Sequence, residues 1–152
     1  MNDDLDRIMA VMAAAFDPAF GEAWSRRQVE DALLLGQCHY HLIATTGTEP
    51  AEHQPAAGFA LLRQTCDEAE LLLFAIMPDQ RRRGLGAQLL ARLMAAARAR
   101  GTTRMLLEMR RGNPAEALYR AQGFELVGLR PQYYRGANNL PTDALTFACP
   151  LQ

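Results

Sequence analysis

The sequence predicts a mixed α/β fold, one mixed sheet flanked by helices in a single domain over residues 1–152. Three observations predict it. Apolar runs of strand length, clearest over 70–77 and 104–109, alternate with stretches whose apolar residues recur at helical spacing. Gly and Pro punctuate the passages between them. The composition, 49% hydrophobic and 22% charged over 152 residues, is that of a globular chain able to bury a core without disulfides or metal.

Leu5, Ile8, Met9, Met12, Ala13 and Phe16 form a helical stripe behind Asp3 and Asp4, and Asp17-Pro18 ends it. Ser25 with Gln28 three residues on reads as a capping box. Trp24 before the cap can staple onto Val29, giving a second helix to about Leu35 with Val29, Ala32 and Leu33 inward. Strands are expected over 40–45 and 58–64, joined by the polar loop 47–55. The run 70–77 is apolar on both faces, as a central strand covered on two sides should be. Leu85, Leu89, Leu93, Met94 and Ala97 give the next helix, stopped by Gly101. A strand over 104–109, a helix over 113–122 closed by Gly123, and strands over 124–127 and 145–149 complete the pattern.

The formal net charge is −1, 16 basic residues against 17 acidic, which argues against nucleic-acid binding by the protein as a whole. No apolar run approaches the ~20 residues of a membrane span, and Asn2-Asp3-Asp4 does not resemble a signal peptide. Cys38, Cys66 and Cys149 are far apart, without C-x-x-C spacing, and read as buried thiols in a reducing compartment, so a cytoplasmic protein is expected. His39 and His41 share a strand face. With no third ligand nearby they read as surface histidines, and no metal site is expected.

Arg81-Arg82-Arg83-Gly84-Leu85-Gly86-Ala87 lies between an apolar strand and a helix. Two glycines let the main chain curl until successive N–H groups point one way, and the helix adds its free N–H groups and positive dipole end. Such a turn can hold phosphate. A P-loop is excluded, since no Gly-Lys-Ser/Thr occurs. A dinucleotide fingerprint fails too, because Leu89 stands where the third glycine belongs and no acidic residue follows at 105–107. A pyrophosphate gripped by amides and guanidinium groups remains, beside the alternative of an ordinary exposed strand-to-helix turn.

Two further residues could do chemistry. Glu108 shares a strand face with Leu106, opposite Met105, Leu107 and Met109, near the carboxyl end of its strand, where an open α/β fold usually places a working group. The alternative is a glutamate solvated or paired with Arg110. Asn113-Pro114-Ala115-Glu116 reads as a helix start, with Asn as cap and Pro at the first helical position. Tyr119 then falls in the second turn, either as core or as a phenol presented to a crevice as proton donor.

The order of elements, with the Arg81-Arg82-Arg83-Gly84-Leu85-Gly86 turn, Leu106-Leu107-Glu108 and the Asn113 to Gly123 helix carrying Leu118-Tyr119 and followed by Phe124, resembles the GNAT acyltransferase superfamily over nearly the whole chain. Ala23-Trp24-Ser25, Asp67-Glu68-Ala69, Tyr133-Tyr134 and Asp143-Ala144 make it most similar to the ribosomal-protein-alanine N-acetyltransferase group. The resemblance implies a mostly antiparallel mixed sheet of six to seven strands with about four helices. It also implies an acetyl-CoA-dependent N-acetyltransferase acting by direct attack on the thioester. Main-chain groups of Phe74, Ala75 and Ile76 would line the pantetheine arm, and Arg82, Arg83, Gly84, Leu85, Gly86 and Ala87 would hold the pyrophosphate. Asn113 matches a further contact to this co-substrate, although its interval to Tyr119 is one residue shorter than usual in the group. Glu108 matches the general base and Tyr119 the general acid. The implied partner is a protein or peptide with a free amino terminus, with an alanine-first ribosomal small-subunit protein as the suggested acceptor. A small-molecule amine acetyltransferase and a non-catalytic acyl-CoA-binding module are the alternatives. Trp24, Tyr133 and Tyr134 either flank an acceptor groove or pack.

Overall fold

A computed structural model describes residues 2–135 and 141–151. Helix α1 (Asn2–Ala15) carries Asp3 and Asp4 in its first turn and buries Leu5, Ile8, Met12 and also Val11, whereas Ala13 faces solvent. A short 3₁₀ turn (Pro18–Phe20) follows, capped by the Asp17 side chain and ended by left-handed Gly21. Helix α2 (Arg26–Leu34) begins at the expected capping box, with Ser25 Oγ accepting the Gln28 N–H at 3.2 Å and Gln28 Oε1 accepting the Ser25 N–H at 2.7 Å. Ser25→Ala removes half of that exchange and should cost about 1 kcal/mol, read as a lower urea midpoint at unchanged slope.

Six strands, β1 (Cys38–Ile43), β2 (Gly58–Thr65), β3 (Glu68–Ile76), β4 (Arg104–Arg110), β5 (Glu125–Arg135) and β6 (Pro141–Pro150), form one sheet in the order β1-β2-β3-β4-β6-β5. Among the described residues only β3 and β4 run parallel, and the other four pairings are antiparallel. The right-handed crossover rule then places the connecting helix α3 (Leu85–Ala99) on one face, where Leu85, Leu89, Leu90, Leu93 and Ala97 are buried against Ile43, Leu62 and Leu107. Helix α4 (Glu116–Ala121) lies on that side too, while α1 and α2 cover the other face through Ile8, Val11, Val29, Phe59 and Leu73. The mixed sheet with four α-helices among the described residues is the architecture the sequence predicts.

Several local expectations change. Helix α4 starts at Glu116, because Asn113 Oδ1 accepts the Ala115 N–H at 2.9 Å and closes a turn ahead of the helix. Strand β5 runs well past Val127 and contains Pro131, which an edge strand accommodates because the missing N–H falls in a bulge. Cys149 is buried, but Cys38 is only partly so, and Cys66 is exposed in the β2–β3 turn at φ +54°. His41 is half-buried, and burial pushes its imidazole below the usual range.

One irregularity in β3 governs the rest. Leu61 pairs with Leu73 and Leu62 with Leu71, so Leu72 is an extra residue in β3. Such a bulge bends its strand and interrupts the alternation of faces. Leu71 accordingly packs on the α3 side and Leu73 on the α1 side, two residues apart yet on opposite faces. At the same place the β3–β4 pairing stops, with Leu71 opposite Leu107 as its final pair, although β3 continues to Ile76 and β4 to Arg110. The central parallel pair parts there, leaving one edge of β3 without a strand partner over 72–76 among the described residues.

Candidate active site

The parted strands open a cleft of about 290 Å³, lined on one side by Leu71 to Phe74 of β3 and on the other by Leu107, Glu108 and Met109 of β4. Glu22 and Trp24 from the α1–α2 connection, Asn113, Tyr119 of α4 and Tyr134 of β5 complete its lining. Alternation along β4 buries Met105, Leu107 and Met109 and leaves Glu108 half-buried, aimed into this cleft. Its partner is not Arg110. Arg130 lies 3.3 Å from Glu108 Oε2, and the Tyr134 hydroxyl is 3.5 Å from Oε1. Burial, then the Glu108 charge, pushes Tyr134 up to about 12, so its phenol stays protonated and donates toward the carboxylate.

Tyr119 is 6% exposed and sits between two aromatic rings, edge-on to Phe74 at 6.0 Å and to Phe124 at 5.8 Å. Burial, with a smaller contribution from the Glu22 charge, raises its phenol well above the usual tyrosine range. It is a fixed, protonated donor at the cleft wall. Asn113 lines the cleft as well, with its Oδ1 engaged by Ala115.

Beyond β3 a short 3₁₀ turn (Pro78–Gln80) leads to the glycine turn. Gly84 adopts φ +79° as the residue before α3, and no side chain caps the helix. Among the described residues, the main-chain N–H groups of 82–87 have no protein acceptor, and the helix ladder starts with Gln88 N–H to the Gly84 carbonyl at 3.1 Å. The two glycines act differently. Gly84 supplies the left-handed residue, whereas Gly86 is already helical and its missing Cβ allows a close approach. A Cβ there would stand 3.2 Å from Leu118 Cδ2 of α4, with Phe74 and Ile76 also within 4 Å. Arg82 also takes φ +65°. Arg81, which the sequence groups with its neighbours, is structural: its Nε donates to the Ile76 carbonyl and its Nη2 to that of Ala15, both at 3.2 Å. Arg82 and Arg83 remain exposed. Phe74 lines the cleft, and Ala75 and Ile76 continue β3 from there toward the turn.

Sequence reasoning missed Glu22, Arg110 and Arg130. The Glu22 carboxyl is raised by burial, with the Arg110 charge opposing, and Arg110 Nε stands 3.5 Å from Glu22 Oε1. The arginine also lies over the Phe20 ring, 3.6 Å from its centroid. The one local signal was an acidic residue flanked by Phe20 and Trp24 in an otherwise apolar connection. Among the described residues no group of three or more His, Cys, Asp or Glu is placed to hold a metal ion, and no helix is long and apolar enough to cross a membrane.

The class this geometry defines is a mixed α/β protein whose central parallel pair parts into a cleft, with a helix amino terminus at the end of one of the two strands. The chain belongs to the acetyltransferase (GNAT) family, whose model matches residues 6–124. It is 40% identical over 96 residues to the ribosomal protein bS18-alanine N-acetyltransferase of Salmonella typhimurium, a match covering 62% of this chain and 64% of that one, so it spans under two thirds of the relative's length. The crystal structure of the ribosomal-protein-S18-alanine N-acetyltransferase from Escherichia coli superposes with a TM-score of 0.83 at 28% identity, covering 100% of this chain and 90% of that one. The same fold recurs in a phosphinothricin acetyltransferase from Sinorhizobium meliloti solved in complex with AcCoA, with a TM-score of 0.77 at 20% identity, covering 99% and 84%.

Proposed function

We propose that this chain, working as one domain over residues 1–152, is an acetyl-CoA-dependent N-acetyltransferase whose acceptor is the α-amino group of a protein. An alanine-first ribosomal small-subunit protein in the cytoplasm is the favoured acceptor. The observation that carries it is spatial: Glu108 and Tyr119 face one cleft, and the strand forming its other wall leads, through one 3₁₀ turn, to a run of main-chain N–H groups without protein acceptors among the described residues. The names borne by the bacterial relatives support the choice of acceptor.

The residues present fit the co-substrate. Arg82, Arg83 and the amides of Gly84, Leu85, Gly86 and Ala87 would hold its pyrophosphate through charge-assisted hydrogen bonds. The free β3 edge at Phe74, Ala75 and Ile76 would take the amide-bearing pantetheine arm as an added strand does. Asn113, which lines the cleft, would make a further contact. Acetyl-CoA supplies the activated acyl thioester.

An α-ammonium has a pKa of about 7.7–8.0 and must lose a proton before its nitrogen can attack. Glu108 takes that proton, directly or through one water, and the Tyr134 hydroxyl and Arg130 orient the carboxylate for it. As the new C–N bond forms, the C–S bond breaks, and Tyr119 donates its proton to the departing sulfur. A thiolate is a stable leaving group, with a free thiol pKa near 8.5, so acid assistance contributes less than base assistance. Tyr119→Phe should therefore lower kcat by about tenfold with little change in either KM, read as coenzyme A release under saturation.

The deciding experiment offers acetyl-CoA with alanine-first peptides, polyamines, free amino acids and aminoglycosides, and follows acetylated product by mass spectrometry. Transfer to the peptide amino terminus, with kcat/KM well above every small amine, is expected. Preference for a small amine moves the acceptor class. Binding of acetyl-CoA with no transfer to anything points to a non-catalytic module.

A further inference from the structure

Two carboxylates face the cleft, and their surroundings differ in a way that suits them to different tasks. Both oxygens of Glu108 are engaged, Oε1 by the Tyr134 hydroxyl at 3.5 Å and Oε2 by Arg130 at 3.3 Å. Glu22 is engaged at one oxygen. Among the described residues its partner is Arg110, through Oε1 at 3.5 Å, and that contact lacks hydrogen-bond geometry, since the buried Arg110 Nε finds no hydrogen-bond acceptor. A carboxylate can accept about four hydrogen bonds, so Glu22 keeps most of its capacity free. It does so while its side chain is only 23% exposed.

We infer that Glu22 is the group that receives the acceptor's α-ammonium, its open Oε2 holding the cation in the cleft so that the nitrogen is delivered between Glu108 and the thioester. The inference rests on the proposed acetyltransferase reading and adds a residue to it. Arg110 makes the arrangement tenable. Its guanidinium is held against the Phe20 ring at 3.6 Å, so it offsets part of the Glu22 charge in the free protein from the Oε1 side, without a hydrogen bond from its Nε. A half-desolvated anion with an incomplete partner gains when a cation with three N–H donors arrives, because the cost of removing it from water is already met in the free protein. Its own environment agrees: burial outweighs Arg110 in setting the Glu22 carboxyl, the mark of an anion short of compensating charge. The backbone prepares the residue, since left-handed Gly21 at φ +62° ends the 3₁₀ turn immediately before it and the α2 capping box begins three residues later. Glu22 is thus a specificity residue for cationic amines, shared by a peptide amino terminus and a small amine, and distinct from the base.

The test pairs an alanine-first peptide with the counterpart in which a propionyl group replaces the alanine, so that the two differ by the amine alone. Binding of each is measured by calorimetry on wild type, Glu22→Gln and Glu22→Asp, alongside steady-state kinetics on the same peptide and on spermidine. Wild type is expected to prefer the amine peptide. In Glu22→Gln that preference should fall about tenfold, as for loss of one charge-assisted hydrogen bond, with the propionyl peptide and the acetyl-CoA KM unmoved and the loss falling on the peptide KM more than on kcat. Glu22→Asp, which keeps the charge beside Arg110, should retain most of the preference and serves if the glutamine variant does not fold. An equal loss for both peptides, an undiminished preference in Glu22→Gln, or a preference abolished by Glu22→Asp in a folded protein overturns the assignment and leaves the acetyltransferase reading standing. A Glu22 effect confined to spermidine would keep the ammonium site and move the acceptor class. A wild-type protein that binds and acetylates no amine at all removes the functional reading, and this inference with it.

Discussion

Glu108→Gln is expected to lower kcat by ~10²- to 10⁴-fold while leaving acetyl-CoA binding and the fold intact, the range seen when a positioned general base is removed. The substitution conserves shape. The amide oxygen can still accept from the Tyr134 hydroxyl, and the side chain keeps its place on a strand held on one side by β6, where Glu108 pairs with Thr146. It loses only the negative charge. Arg130 then lacks its partner, but at 59% side-chain exposure it is solvated rather than stranded, so the stability cost should be small. The loss should fall on kcat and kcat/KM together, because proton removal is an interaction made on the way to the transition state. Turnover within about threefold of wild type at saturating substrates would take the base role away from Glu108 and leave Glu22 as the candidate.

Gly84→Val should raise the acetyl-CoA dissociation constant by about a hundredfold. A β-branched residue at φ +79° is strained by roughly 1–3 kcal/mol, and the turn can relieve that only by moving the chain between Arg82 and Leu85. Amides of 85–87 that would grip a diphosphate then point elsewhere, and losing one or two charge-assisted hydrogen bonds at about 1.5–3 kcal/mol each accounts for the factor. Gly36→Val is the control. Gly36 also has φ +79°, with nothing within 4 Å of where its Cβ would lie, and it sits between α2 and β1, away from the cleft. It should share the loss of stability without the loss of binding. If both variants bind acetyl-CoA as wild type does, the turn is an ordinary connection and the pyrophosphate lies elsewhere.

The features legible in the chain are those set within a few residues. Ser25 and Gln28 cap one helix by reaching each other across a single turn, and Gly84 must be where a left-handed residue is needed. Glu108 faces away from Met105 and Met109 because a strand alternates. The helix expected from Asn113 began later because a side-chain turn at the same residues outcompeted the first helical bonds. Strand β5 outruns the expected 124–127 because Gly128 and Pro131, which break the strand pattern locally, are tolerable at the sheet edge.

By itself the sequence determined the element order, the caps, the glycine turn and the face of Glu108, since each depends on local steric and hydrogen-bonding preferences. The tertiary structure alone decided the cleft. Whether Leu72 bulges depends on β2 and β4 pairing with β3 from opposite sides at once, and the bulge is what lets β3 and β4 part beyond Leu71 and Leu107. The company that Glu108 keeps was decided there too: Arg130 and Tyr134 come from β5 across β6, and Glu22 with Arg110 from the α1–α2 connection and the end of β4. Charges separated by so many residues meet only after the sheet has chosen its order, and no spacing in the chain encodes that meeting.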